Sequence, residues 1–163
     1  MHGVVDRIDQ HEDGRIRVLD YKTFEKSKKP DDEHLKNAPK TSAENEMEPV
    51  PEFRLCDVNG KKKVWQDLQL PLYCLLLRPE FGSVCECGYF GLPKAVTETR
   101  VEPWKNLSLE LLASAETCAR GVVEAILNRD FWPPTEKMRY DDFDRILFKN
   151  AAESVCWPAS NKQ

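Results

Sequence analysis

The sequence predicts an α/β domain built on a small mixed β-sheet flanked by helices, and three observations carry that prediction. Two short alternating runs, "HGVVDRID" and "RIRVLDYKT", are separated by "QHEDG", in which Asp13-Gly14 is a turn signal. A second pair of strands is written in "SVCECGYFGLP" and "TETRVEPW", around Pro93 and Lys94. Leu111, Leu112, Ala115, Ala119, Val122, Val123 and Ile126 recur at helical spacing, which marks an amphipathic helix from about Ser108 to Asn128.

The chain has 163 residues, enough for one domain with its own core and short for two, so residues 1–163 are expected to form a single domain. It is 40% hydrophobic and 32% charged with a net charge of -4, a balance that does not announce a nucleic-acid binder. Any basic surface is therefore local. Lys26 to Lys29 ("KSKK") and Lys61, Lys62 and Lys63 are the candidates, although such runs are more often just a solvated face. The longest apolar run, Leu70 to Leu77, is too short to cross a bilayer. The first residues lack the basic head and apolar stretch of a signal peptide, so a cytoplasmic protein with no membrane association is expected. Six cysteines lie at positions 56, 74, 85, 87, 118 and 156; their scatter suits reduced, buried thiols rather than a zinc knuckle.

Between the hairpin and the second strand pair the chain changes character. Residues 24–51 hold almost no aliphatic side chains, with prolines and charges of both signs. Such a stretch buries too little apolar surface to offset its ordering entropy and reads as a mobile insertion. A helix from about Asp67 to Arg78 follows, with Asp67 as N-cap and Pro71 in or just past the first turn, where its missing N–H costs little. The stretch "DFWPPTEKMRYDDFDRILF" is expected to pack as a loop and a short helix.

Chemistry concentrates in "VLDYKT", Val18 to Thr23. On a strand, Val18, Asp20 and Lys22 share one face and Leu19 and Tyr21 the other. Burying a carboxylate and an ammonium together is poor economy for stability alone, because desolvation rivals their attraction. Asp6 is the second carboxylate to consider. A three-residue loop Glu12-Asp13-Gly14 sets Ile8 opposite Val18 and Asp6 opposite Asp20, whereas a two-residue turn pairs Asp6 with Tyr21 and removes it from that face. In the first register the two carboxylates repel by about 4 kcal/mol at about 4 Å in a medium of intermediate dielectric. A hard divalent cation with oxygen ligands would neutralise them. Lys22, one strand step on, could then hold a hydroxide or a scissile phosphate as a point charge. The plainer reading makes Asp20 and Lys22 strand-edge charges and pairs Asp6 with Arg7 or Arg17 at the surface.

Taken in order, "HGVVDRID", "VLDYKT" and "WQDLQLPLY" resemble the RecB-type branch of the PD-(D/E)xK nuclease superfamily, which shows a G-x-x-D strand, a D-Y-K-[TS] strand and a Q-x-x-x-Y helix. The resemblance covers about residues 2 to 78. It implies a restriction-endonuclease-like core and a magnesium- or manganese-dependent DNA phosphodiesterase of exonuclease type, acting in repair or recombination. It further implies Asp6, Asp20 and the Tyr21 carbonyl as metal ligands and Lys22 as the catalytic lysine. Gln69 and Tyr73, four apart on one helical face, are implied to point at the site; they and the local basic run Lys61, Lys62 and Lys63 are the candidate DNA contacts. Without the family, Gln69 and Tyr73 are a helix polar edge and a core tyrosine with a wet tip.

In that branch a helix ahead of the first strand adds another acid or histidine. Here the first strand begins at about His2, so the chain is expected to be the C-terminal piece of a longer protein, completed by an upstream segment or working with a helicase-type partner. Some relatives bind an iron–sulfur cluster through one upstream cysteine and three near the C-terminus; only Cys156 lies there, so no cluster is predicted. The alternative function is a nuclease-fold module, impaired in catalysis, that binds DNA or a partner protein.

Overall fold

A computed structural model describes residues 4–24, 28–39, 50–82 and 85–130. Its contacts form two compact units, residues 1–123 and residues 124–163. The first holds both sheets described below. Of the second, residues 124–130 are described; there Arg129 takes a left-handed φ of 58° and the Asp130 N–H donates to the Ala125 carbonyl at 2.8 Å, closing a helix end. The expected packing of residues 131–148 lies outside the described residues.

The opening hairpin pairs β1 (Arg7–Gln10) with β2 (Ile16–Lys22), antiparallel, with Ile8 opposite Val18. His11 and Arg15 close it through a 2.9 Å backbone bond, and Gly14 at φ 85° takes the left-handed position. The loop is therefore the three-residue Glu12-Asp13-Gly14. Carried one residue back, this register sets Asp6 across from Asp20. Strand β6 (Cys85–Gly91) lies parallel to β2 on its other side, with Tyr89 opposite Asp20, and β7 (Arg100–Pro103) runs antiparallel to β6. The result is a mixed four-stranded sheet, β1-β2-β6-β7. The α/β class read from the sequence is the class observed.

A second, antiparallel sheet has the order β3-β5-β4, from β3 (Leu35–Asn37), β4 (Leu55–Val58) and β5 (Lys61–Trp65). The sequence reading did not anticipate it. Asn59 (φ 54°) and Gly60 (φ 73°) make the two-residue turn between β4 and β5, both residues in the left-handed region that such hairpins need. Strand β3 follows directly on α1 (Pro30–His34). The expectation of a structureless insertion over 24–51 is thus corrected: residues 30–37 form a helical turn and a strand. Their anchors are His34, wholly buried, and Leu35 at 3% exposure, which seats β3 against Trp65. One aliphatic residue suffices when strand pairing satisfies the backbone.

The longer helices are α2 (Gln69–Phe81) and α3 (Leu109–Leu127). Helix α2 begins two residues later than expected: Leu68 is the capping position, and Asp67 contributes from one residue outside by accepting the Gln69 N–H at 2.7 Å. Pro71 falls in the first turn, and the helix runs past Arg78 through Pro79 to a left-handed Gly82. Ser108 Oγ accepts from the Leu111 N–H at 3.1 Å and starts α3. One core joins the elements. Ile16, Val18, Cys87 and Tyr89 of the mixed sheet, Leu70 and Cys74 of α2, Trp65, Trp104, and Leu111 and Ala115 of α3 belong to one buried cluster. Burial of each large apolar side chain contributes about 1.5–3 kcal/mol. Among the described residues no helix is long and apolar enough to cross a membrane.

Candidate active site

Strand alternation sends Ile16, Val18, Asp20 and Lys22 to the face of β2 that α2 covers. Asp20 sits there at 3% exposure, at the boundary between the apolar core and the opening where Lys22 is half-buried. Lys22 Nζ stands 2.6 Å from Asp20 Oδ2 and 3.1 Å from Gln69 Oε1. Gln69 Nε2 donates to Asp20 Oδ1 at 2.9 Å and to the Tyr73 hydroxyl at 3.1 Å. The orientation of the Gln69 amide is forced, since a carboxylate only accepts and an ammonium only donates. Tyr73 in turn donates to the Val4 carbonyl at 2.9 Å, fixing the chain two residues ahead of Asp6.

Asp6 is exposed, and its Oδ2 accepts the Tyr21 N–H at 2.9 Å. The surface pairing of Asp6 with Arg7 or Arg17 does not form; both arginines bond Asp9 instead, at 2.6 Å and 3.0 Å. Burial pushes the Asp20 carboxyl above the ordinary carboxylate range; the Lys22 ammonium pulls it back, and the neighbouring Asp6 carboxylate raises it further. Asp20 Oδ2 is buried and faces the Lys22 ammonium at 2.6 Å. A buried carboxylate beside a second carboxylate and the backbone of Tyr21 suits a hard cation that takes its other ligands from water. Among the described residues no group of three or more His, Cys, Asp or Glu side chains is placed to hold a metal. The donor set is thus lean and made of oxygens, the ligand type that hard divalent cations take.

Behind this cluster lies a buried arrangement that the sequence did not disclose. His34 Nδ1 is 2.9 Å from the Asp67 carbonyl oxygen, and Nε2 is 2.8 Å from the Tyr89 hydroxyl. A carbonyl only accepts, so Nδ1 carries the proton and Nε2 accepts from Tyr89. Burial holds the imidazole below its ordinary pKa and the Tyr89 phenol above its own. The Tyr89 ring lies under Lys22, with Nζ 5.6 Å from its centroid.

The structure therefore brings Asp6, Asp20, Lys22, Gln69 and Tyr73 together, with Tyr21 between the two ionic residues of β2. Lys61, Lys62 and Lys63 stand elsewhere, on β5 of the other sheet. Of the first lysine run, Lys28 bonds Glu33 at 2.9 Å and lies over Phe24. His34, Asp67 and Tyr89 were missed as site neighbours.

Residues 1–45 match the family model of the PD-(D/E)XK nuclease superfamily. The match supports that superfamily. It spans the hairpin with Asp6, Asp20, Tyr21 and Lys22, the residues that the geometry gathers independently. No curated protein and no solved structure matches the chain. PD-(D/E)XK nucleases hydrolyse phosphodiester bonds, generally with divalent metals, and the Asp6–Asp20–Lys22 arrangement is chemically suited to that reaction.

Proposed function

We propose that this chain is a metal-dependent nuclease domain of the RecB type that hydrolyses DNA phosphodiester bonds in exonuclease fashion, in repair or recombination. The observation that carries the reading is the clustering of Asp6, Asp20, Lys22 and Gln69, from three separate segments, at one end of β2. The superfamily match over residues 1–45 supports it. Asp6, Asp20 and the Tyr21 carbonyl would hold magnesium or manganese, which when bound lowers the pKa of a water and offsets charge on a phosphoryl oxygen. Lys22, at the open edge, holds its ammonium toward the scissile phosphate, whose developing negative charge it stabilises. Gln69 keeps both Asp20 and Lys22 oriented, and Tyr73 and the lysines of β5 are proposed contacts for DNA. The products are a 5′-phosphate and a 3′-hydroxyl if water attacks phosphorus and the 3′ oxygen departs with a proton.

We place the chain in the cytoplasm, where buried thiols such as Cys56, Cys87 and Cys118 stay reduced. A helicase-type protein is the proposed partner. The lean set of carboxylates among the described residues favours a second reading, a module that binds DNA without cutting it. Incubation of linear DNA with the chain and magnesium or manganese, beside Lys22→Ala, separates the two. Metal-dependent release of nucleotides by the wild type alone supports the nuclease; binding without cleavage leaves the module.

A further inference from the structure

The first residues of α2 owe their position to a residue 33 positions away in sequence from Asp67. His34 grips the approach to that helix twice. Its ring donates to the Asp67 carbonyl at 2.9 Å, and its own carbonyl accepts the Gln66 N–H at 2.9 Å. Asp67 then accepts the Gln69 N–H through its side chain, so the place where α2 begins follows from His34. The other ring nitrogen holds the Tyr89 hydroxyl, and the ring of Tyr89 forms the floor under Lys22. Trp104 stacks on the imidazole at 4.8 Å between centroids and an angle of 27°, which removes the ring's freedom to turn. His34 is wholly buried, its ring nitrogens bond the Asp67 carbonyl and Tyr89, and Nδ1 lies 3.7 Å from Asp67 Oδ1, so it acts through those two residues.

We propose that His34 is a positioning residue of the site: through Asp67 it sets Gln69 at the start of α2, through Tyr89 it sets the floor beneath Lys22, and so it holds the Lys22–Gln69 pair in one geometry. The proposal rests on the reading that Lys22 belongs to a working site. Its physical basis is that both hydrogen-bonding arms leave one immobilised ring, so that the two groups facing Lys22 cannot shift independently.

Acylation of the folded protein with acetic anhydride, followed by peptide mass mapping, measures how firmly Lys22 is held, with exposed Lys61 as the internal standard. His34→Asn can still reach the Asp67 carbonyl but loses Tyr89, and Tyr89→Phe keeps the ring but loses the same bond. Each should raise the Lys22-to-Lys61 labelling ratio by about fivefold, the change in local opening expected for one lost buried hydrogen bond. The double variant should go no further than either, because both remove one shared contact. A residue with a merely structural role would lower the melting temperature and leave the ratio unchanged in folded protein; that result, in either variant, overturns the proposal. Should His34→Asn fail to fold, Tyr89→Phe decides alone. In the cleavage assay the variants should lose kcat with KM nearly unchanged. A wild type that never cuts DNA sinks the nuclease reading, while the labelling ratio still decides whether His34 positions Lys22.

Discussion

Lys22 Nζ stands 2.6 Å from Asp20 Oδ2, on two side chains that leave the same face of one strand. The two ends of this contact differ in environment: Asp20 is at 3% exposure, whereas Lys22 reaches a half-open edge. A pair of that kind leaves the carboxylate to bear most of the desolvation, and burial is indeed the largest influence on its pKa. The ionised form of Asp20 is thus carried at a cost to the fold, which is the arrangement expected of a group placed for binding rather than for stability.

That cost can be measured. With the native pKa of Asp20 above its unfolded value, the native state binds the extra proton between the two, so stability falls as pH rises through that window. The penalty is fully present once the pH exceeds the native value. Asp20→Asn should therefore melt at the same or a higher temperature than the wild type at pH 7 without metal. The difference should close as the pH drops below about 3.9, the unfolded value. Magnesium or manganese should raise the wild-type melting temperature and leave the variant unmoved. Equal metal shifts in both proteins would remove Asp20 from the metal site.

Lys22 should separate from Asp20 in behaviour. Lys22→Ala frees Asp20 Oδ2 and removes a positive neighbour, so metal binding should persist or tighten. Cleavage should drop by about 10²-fold or more, the usual loss for a charge partner of the transition state. Lys22→Arg should recover little, because a planar fork cannot occupy the place of a compact ammonium between Asp20 and Gln69. Nucleotide release measured at saturating metal tests this, and a wild-type rate in Lys22→Ala would take the residue out of the mechanism.

The legible part of this protein is the part set by short-range spacing. Asp20 and Lys22 share a face because a strand repeats every two residues, and Gln69 and Tyr73 share one because a helix nearly repeats every four. Gly14 marked the hairpin loop but left two registers open for Asp6; the three-residue loop that forms sets Asp6 across from Asp20. The second sheet carried one readable signal that the sequence reading passed over: Asn59-Gly60 is a strong two-residue hairpin signature, and it sits between β4 and β5. Strand β3 and helix α1 carried none, since a charged stretch with a single leucine does not disclose that a histidine within it is buried. The partners of His34 lie 33 and 55 residues on, and nothing local encodes them.

Gly88 tests the sheet itself. A Cβ at this position would press on the Glu102 carbonyl oxygen and stand 2.9 Å from Pro103 Cα, both backbone atoms that cannot turn aside. Gly88→Ala should separate β6 from β7 or displace β6 along β2, where Tyr89 faces Asp20. A loss of about 1–3 kcal/mol in urea unfolding is expected, in the range for forcing atoms into a packed interior. Unchanged stability would mean that β7 sits farther from Gly88 than described.

The acid limb of the stability profile isolates His34. Its native pKa is depressed by burial, with the Asp67 backbone and carboxylate and Asp20 opposing that fall and Lys22 adding to it. As pH drops through the ordinary imidazole value of about 6.5, the unfolded chain takes up a proton that the native ring refuses. Stability therefore rises with pH across this window and is lost on acidification, with a limiting slope of about 1.4 kcal/mol per pH unit. Replacing the imidazole by an amide in His34→Asn deletes the titrating group, so the variant should be less stable than the wild type at pH 8 and close part of that gap by about pH 5. Urea unfolding across this range measures both curves. Curves that stay parallel would show that the buried ring is not what the acid limb reports.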